Sequence, residues 1–174
     1  PNIVSLFDHF DRPDRVYLMM EYAQRGELRQ YIIENRALHE DEARRLFAQL
    51  LDAVRFMHDR CVAHRDISSA NVLLTSSLDV RLCDFGLAVE FDPESFLHSH
   101  CGTLHYTSPE MLEAQPYLAP PADLWSCGVV LFEMLCGYTP FDEPTVHDTI
   151  AAIRVGEPPV EPTVSPAAAS LVTG

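Results

Sequence analysis

The sequence predicts an α+β fold in which the short strands all lie before residue 84, with one long helix between them, and helices follow. Three observations carry this reading. Short runs rich in β-branched and aromatic residues, "RVYLMMEY" at 15–22 and then "NVLLT" and "DVRLC", all precede residue 84. Apolar residues recur every three or four positions between His39 and Asp59. The segment "ADLWSCGVVLFEMLCG" is apolar nearly all round, as a buried helix is.

In chain order, "PNIVSLF" reads as the inside of a strand, and "RVYLMMEY" as a buried strand followed by a loop at Gly26. The helix over 39–59 places Ala43, Phe47, Leu50, Leu51, Val54 and Met57 on one face. Glu40, Asp41 and Glu42 in its first turn complement the positive end of the helix dipole. "NVLLT" and "DVRLCDFG" form a strand pair around the turn "SSLD". Leu87 to Glu110 is polar, rich in Ser and His, and too long for an ordinary connection, which marks it as functional or mobile. The apolar helix follows two prolines and closes on a glycine, "TVHDTIAAIRVG" is a further short helix, and 158–166 is a Pro-rich loop. The chain starts at Pro1 and breaks off in "SPAAASLVTG", just after a helix start, so both ends are expected to be cut.

With 174 residues, 47% of them apolar, the chain has one domain's length and enough apolar material for a core. Its 12 basic and 26 acidic side chains give a net charge of −14, which argues against a general nucleic-acid binder. Five cysteines without a CxxC pair point to a reducing, cytoplasmic setting. Neither a signal peptide nor a membrane-length apolar run is present, so no membrane partner is expected.

Four islands carry chemistry: "HRDISSAN" at 64–71, "DFG" at 84–86, "GTLHYTSPE" at 102–110 and "DLWSCG" at 123–128, with "MEYAQRGEL" upstream. In this order and spacing they resemble the catalytic half of the eukaryotic protein kinases, Ser/Thr type. The resemblance implies a protein-kinase-like fold made mostly of the helical C-terminal lobe plus the hinge and last N-lobe strands. Residues 1–22 would be the end of the N-lobe and the hinge start, and 23–174 a truncated C-lobe, with the N-lobe start and last C-lobe helices absent. It also implies transfer of the γ-phosphate of ATP, with Mg2+, to Ser/Thr hydroxyls of protein substrates; the oligomeric state stays open.

Carried over by the same resemblance, Asp66 accepts or orients the proton of the attacking hydroxyl. Asn71 and Asp84 hold two magnesium ions through oxygen, the ligand type that hard cation prefers. Gly86 allows a sharp turn after the metal ligand, and Phe85 packs beneath it. Met20 is the gatekeeper, the backbones of Glu21 and Ala23 meet the adenine edge, Glu27 reaches the ribose, and Leu73 and Cys83 complete the nucleotide pocket. Arg65 pairs with a phosphate on the activation segment, at Ser99 before Ser95. Thr103 bonds the catalytic acid, and Asp123 braces the catalytic loop. A zinc site at His98, His100, Cys101 and His105 is the alternative for those residues, but their spacing fits no common zinc pattern.

Ser68 is the departure. Ser/Thr kinases of this type carry a lysine two residues after the acid, where its charge offsets that of the transferred phosphate. A hydroxyl there is similar to polo-like kinases, the centriole-duplication branch in particular. "VYLMMEYAQRGELRQYI", "EDEARRLFAQLL", "CGTLHYTSPEM" and "TVHDTI" after "PFD" add to that likeness, with Aurora-like kinases next. This finer resemblance implies a role in centriole or basal-body duplication or cell-cycle control, and a place at the centrosome. The alternative is a pseudokinase scaffold, which predicts loss of Asp66, Asn71 or Asp84; all three are retained. A small-molecule kinase is disfavoured by the peptide-docking run "GTLHYTSPE".

The 174 residues contain no Gly-rich phosphate loop and no "VAIK" lysine. The chain by itself is therefore expected to bind ATP poorly and to transfer nothing. Calorimetric titration with ATP and magnesium should show only weak heats; binding in the low micromolar range would contradict this.

Overall fold

The computed structural model of the chain describes residues 1–113, 115–159 and 164–173. It opens with an antiparallel hairpin of β1 (Leu6–Arg12) and β2 (Arg15–Met20). A three-stranded antiparallel sheet follows, ordered β3 (Gly26–Glu27), β5 (Val72–Leu74), β6 (Val80–Leu82). A third small ladder pairs β4 (Val62–Ala63) with β7 (Val89–Glu90). The helices are α1 (Leu28–Asn35), α2 (Glu40–His58), α3 (Pro109–Leu112), α4 (Ala119–Cys136), α5 (Val146–Val155) and α6 (Pro166–Thr173).

The core is the contact between α2 and α4. In α2 the buried residues are Ala43, Leu46, Leu50, Ala53, Val54 and Met57; of the predicted face Ala43, Leu50, Val54 and Met57 are buried and Phe47 and Leu51 partly buried, while Leu46 and Ala53 join them. Its ends also match: His39 is the N-cap, accepting from the Asp41 N–H, and Asp59 is the C-cap. Helix α4 is buried on nearly every side. Its end is fixed by Gly137 at φ +85, where a Cβ would stand 1.7 Å from the Arg36 carbonyl oxygen, so only glycine fits. Helix α5 is bracketed by Thr145, whose side chain accepts from the Asp148 N–H, and by Gly156 at φ +71. No helix among the described residues is long and apolar enough to cross a membrane.

Four expectations need correction. Strand β2 is exposed along its whole length, not buried, because a two-stranded ribbon has two faces and no described element covers either. Residues 28–35, expected to continue a loop, form α1, which buries Leu28, Tyr31 and Ile32. Helix α4 begins before its prolines rather than after them, since Pro120 and Pro121 lie in the first turn, where a missing N–H costs nothing. The expected loop at 158–166 falls partly outside the described residues, at 160–163, and Pro166 already starts α6.

Ahead of α3, Ser108 is fully buried and its hydroxyl has no partner among the described residues. An unpaired buried hydroxyl is a net cost, so Ser108→Ala should raise stability by about 1–3 kcal/mol in urea denaturation. A lower midpoint in the variant would show that the hydroxyl is satisfied after all.

Candidate functional site

The site begins in the second turn of α4. Asp123, 1% exposed, accepts from the His64 N–H through Oδ2 (2.9 Å) and from the Arg65 N–H through Oδ1 (2.8 Å). His58 at the end of α2 donates its Nε2–H to the same Oδ2 at 2.8 Å. These bonds hold the chain where it leaves β4 and turns through Arg65 at φ +65. On the other side, buried His64 donates from Nε2 to the Cys83 carbonyl (2.9 Å), and its ring meets Phe85 edge-on at 5.0 Å.

The loop so fixed presents Asp66. Its Oδ1 accepts from both the N–H and the hydroxyl of Thr103, at 2.9 and 2.8 Å. Asn71 donates from Nδ2 to Asp66 Oδ2 (3.0 Å) and to the Asp66 carbonyl (2.8 Å). The antiparallel β5–β6 pair, extended by the Cys83 N–H to Asn71 carbonyl bond of 2.9 Å, brings Asn71 and Asp84 to the same end of the hairpin. Asp84 adopts φ +60, and its Oδ1 accepts from the Gly86 N–H at 3.1 Å.

The left-handed residue at this turn is thus Asp84, not Gly86. Gly86 leaves room for the Asp84 carboxylate: a Cβ there would stand 3.0 Å from Asp84 Oδ1, which would have to shift. Asn71 Oδ1 and Asp84 Oδ2 are engaged by no hydrogen bond among the described residues, and both are the hard oxygen donors that suit magnesium.

An open cleft of about 490 Å3 has Glu21, Ala23, Glu27 and Leu73 on its wall. Glu27 pairs directly with Leu73 across β3 and β5. Glu21 is pinned by Arg81, whose Nε donates to Oε1 at 2.7 Å, and that hydrogen bond holds its carboxyl below the usual range. Met20 and Cys83 do not line the cleft. Met20 stands half exposed on β2, while Cys83 donates from Sγ to the Asn71 carbonyl at 3.2 Å. Burial pushes the Cys83 thiol up to about 11, which keeps it a donor.

Arg65 donates from Nε to the Leu87 carbonyl at 2.8 Å and from Nη1 to the Ser99 hydroxyl. Ser95 instead donates to Asp92. Ser68 is buried, 2% exposed, and is seen by its neighbours chiefly through its carbonyl, which accepts from the Asn71 N–H. A catalytic contact by its side chain therefore lacks the exposure that a substrate contact needs. Of the four residues weighed as zinc ligands, His105 pairs with Asp142 at 3.3 Å and His100 packs on Tyr117. Among the described residues no three His, Cys, Asp or Glu side chains converge as a metal site.

Several supports were not foreseen from sequence. Tyr106 donates its phenol proton to buried Glu133 (2.7 Å) and is within 3.0 Å of the Ser69 hydroxyl; Ser126 donates to the Tyr106 carbonyl. The signal was present in "VVLFEMLC", where an acid inside an apolar helix requires a buried partner.

Comparison with known proteins agrees with this geometry. The family model described as "Protein kinase domain" matches residues 1–174. The carbon catabolite-derepressing protein kinase of Secale cereale is 41% identical over 156 residues, covering 90% of this chain and 31% of that protein. The serine/threonine protein kinase OSK3 of Oryza sativa subsp. indica, at 40%, and the SNF1-related protein kinase catalytic subunit alpha KIN12 of Arabidopsis thaliana, at 39%, match over the same shares. The chain thus spans about a third of the length of these relatives. On the match along its whole length, the chain belongs to the protein kinase domain family.

Proposed function

We propose that the chain carries the hydroxyl-activating and metal-holding part of a serine/threonine protein kinase. The observation that supports this best is the clamp on Asp66, held by Thr103 at one oxygen and Asn71 at the other, with Asp84 at the same end of the β5–β6 hairpin. Phosphoryl transfer asks mainly for positioning and charge neutralisation. Asp66 takes the proton of a substrate Ser or Thr hydroxyl, and Thr103 and Asn71 fix the direction from which that hydroxyl approaches. Glu21, Ala23, Glu27 and Leu73 offer a wall for the nucleotide, and Asn71 Oδ1 and Asp84 would hold magnesium. Bound Mg-ATP supplies the transferable phosphoryl group and the cations that offset its charge. Arg65, already at the Ser99 hydroxyl, is the partner for a phosphate placed there.

Within the family, similarity of about 40% over 156 residues to SNF1-related kinases favours that branch. The likeness to polo-like kinase 4, with its centriolar role and location, rests only on the short runs quoted above and gains no support from these relatives. Ser68 in place of lysine is a departure under either reading, and its burial suits a tolerated replacement rather than a substitute cation.

The test uses the complete parent protein, labelled ATP, magnesium and a generic Ser/Thr protein. Wild type should transfer phosphate, and Asp66→Asn should lower the rate roughly 10²- to 10⁴-fold, the range of general acid–base catalysis. Undiminished transfer by Asp66→Asn would refute the assignment of the acid. No transfer by either would refute the enzymatic reading and leave a binding scaffold.

A further inference from the structure

The segment between β7 and the turn at 104–106 has few holds. Ser95 bonds only within the segment, to Asp92. Among the described residues, 96–101 is tied to the rest of the protein by hydrogen bonds at Leu97 and Ser99 alone, and all but the Arg65 bond come from Tyr117. The Tyr117 carbonyl accepts from the Leu97 N–H at 2.8 Å, and the Tyr117 N–H donates to the Leu97 carbonyl at 3.1 Å. Its phenol donates to the Ser99 carbonyl at 2.9 Å, and its ring lies against His100 with centroids 5.8 Å apart. Tyr117 itself is fixed: it is 2% exposed and packs with Met111 and with Ala122, the neighbour of Asp123 on α4. Burial raises its phenol pKa, so the donor stays protonated.

We propose that Tyr117 is a positioning residue, a latch that sets the main chain of Ser99 against Arg65 before Ser99 is modified. This rests on the reading of Ser99 as the regulatory hydroxyl. Tyr117 holds the Ser99 carbonyl and Arg65 its hydroxyl, so two neighbouring groups, themselves in contact, fix one residue from its two ends. Phosphoryl transfer from ATP to Ser99 Oγ, which releases ADP and the hydroxyl proton, adds charge-assisted bonds to Arg65. Those bonds make the phenol's contribution dispensable. Phosphorylation at Ser99 then reinforces an arrangement that Tyr117 has already built.

The test separates the latch from the proposed function. Tyr117→Phe keeps the buried ring and removes only the phenol donor. Amide hydrogen exchange on the 174-residue chain should then quicken at Leu97 by roughly two- to tenfold, because its bond to the Tyr117 main-chain carbonyl stays while the segment loses its hold at Ser99, with α2 and α4 unchanged. Exchange at Leu97 equal to wild type would overturn the latch. If Tyr117→Phe does not fold, Leu97→Pro, which removes the N–H facing the Tyr117 carbonyl, is read instead by the backbone 15N order parameters of Ser99 and His100. Lower order there supports the latch, and unchanged order overturns it.

In the parent protein, Tyr117→Phe should lower phosphate transfer while Ser99 is unmodified, and phosphorylation of Ser99 should restore it. A deficit that persists equally after phosphorylation would mark Tyr117 as merely structural and overturn the proposal. If wild-type parent protein transfers no phosphate, the proposed function fails, and exchange at Leu97 alone still decides the latch.

Discussion

One buried carboxylate organises this site. Asp123 is removed from water, and a buried charge is tolerable only when its hydrogen bonds are met. Here the partners are the main-chain N–H groups of His64 and Arg65 and the ring of His58, drawn from two other elements. The backbone at Arg65 is consequently kept at φ +65, a region few side chains occupy without an external hold. Asp66, one residue further, inherits its direction from that constraint.

The same helix extends the principle along its length. Asp123, Ser126 and Glu133 fall on one side of the otherwise apolar α4, and each meets a segment of the site. Asp123 holds the loop after β4, Ser126 the Tyr106 carbonyl, and Glu133 the Tyr106 phenol, which also approaches Ser69 on that loop. A fully paired polar network in a core fixes geometry more than it adds stability. The apolar sides of α4 bury against α2 and supply the adhesion, while its polar stripe sets where the reactive residues stand.

Much of this was legible in the sequence, and the limits are physical. The ends of α2 showed in its apolar spacing and acidic first turn, and Gly137 marked the end of α4. Helix α1 was missed although Leu28, Tyr31 and Ile32 have helical spacing, because Glu27 at its N-cap makes no side-chain capping bond and the stretch is short. Burial of β2 was misjudged because an apolar run declares its preference, not whether anything covers it. Asp66, Asn71, Asp84 and Thr103 stood out through local motifs. His58, 65 residues from Asp123, and Arg81, 60 from Glu21, bond across separations that no motif spans. At the turn after β6 the positive φ falls on Asp84 and not on Gly86, because a short motif does not say which of its residues takes it.

The account stands or falls on the brace. Asp123→Asn is nearly the same size but offers one acceptor oxygen and an NH2 group to N–H donors on both sides, so part of the network must break. Residue-resolved amide exchange compared with wild type measures this directly. The brace predicts that the His64 or Arg65 amide loses protection and that the loop to Asn71 follows it, while the middle of α2 stays protected. Unchanged protection at both amides in a folded Asp123→Asn chain would contradict it.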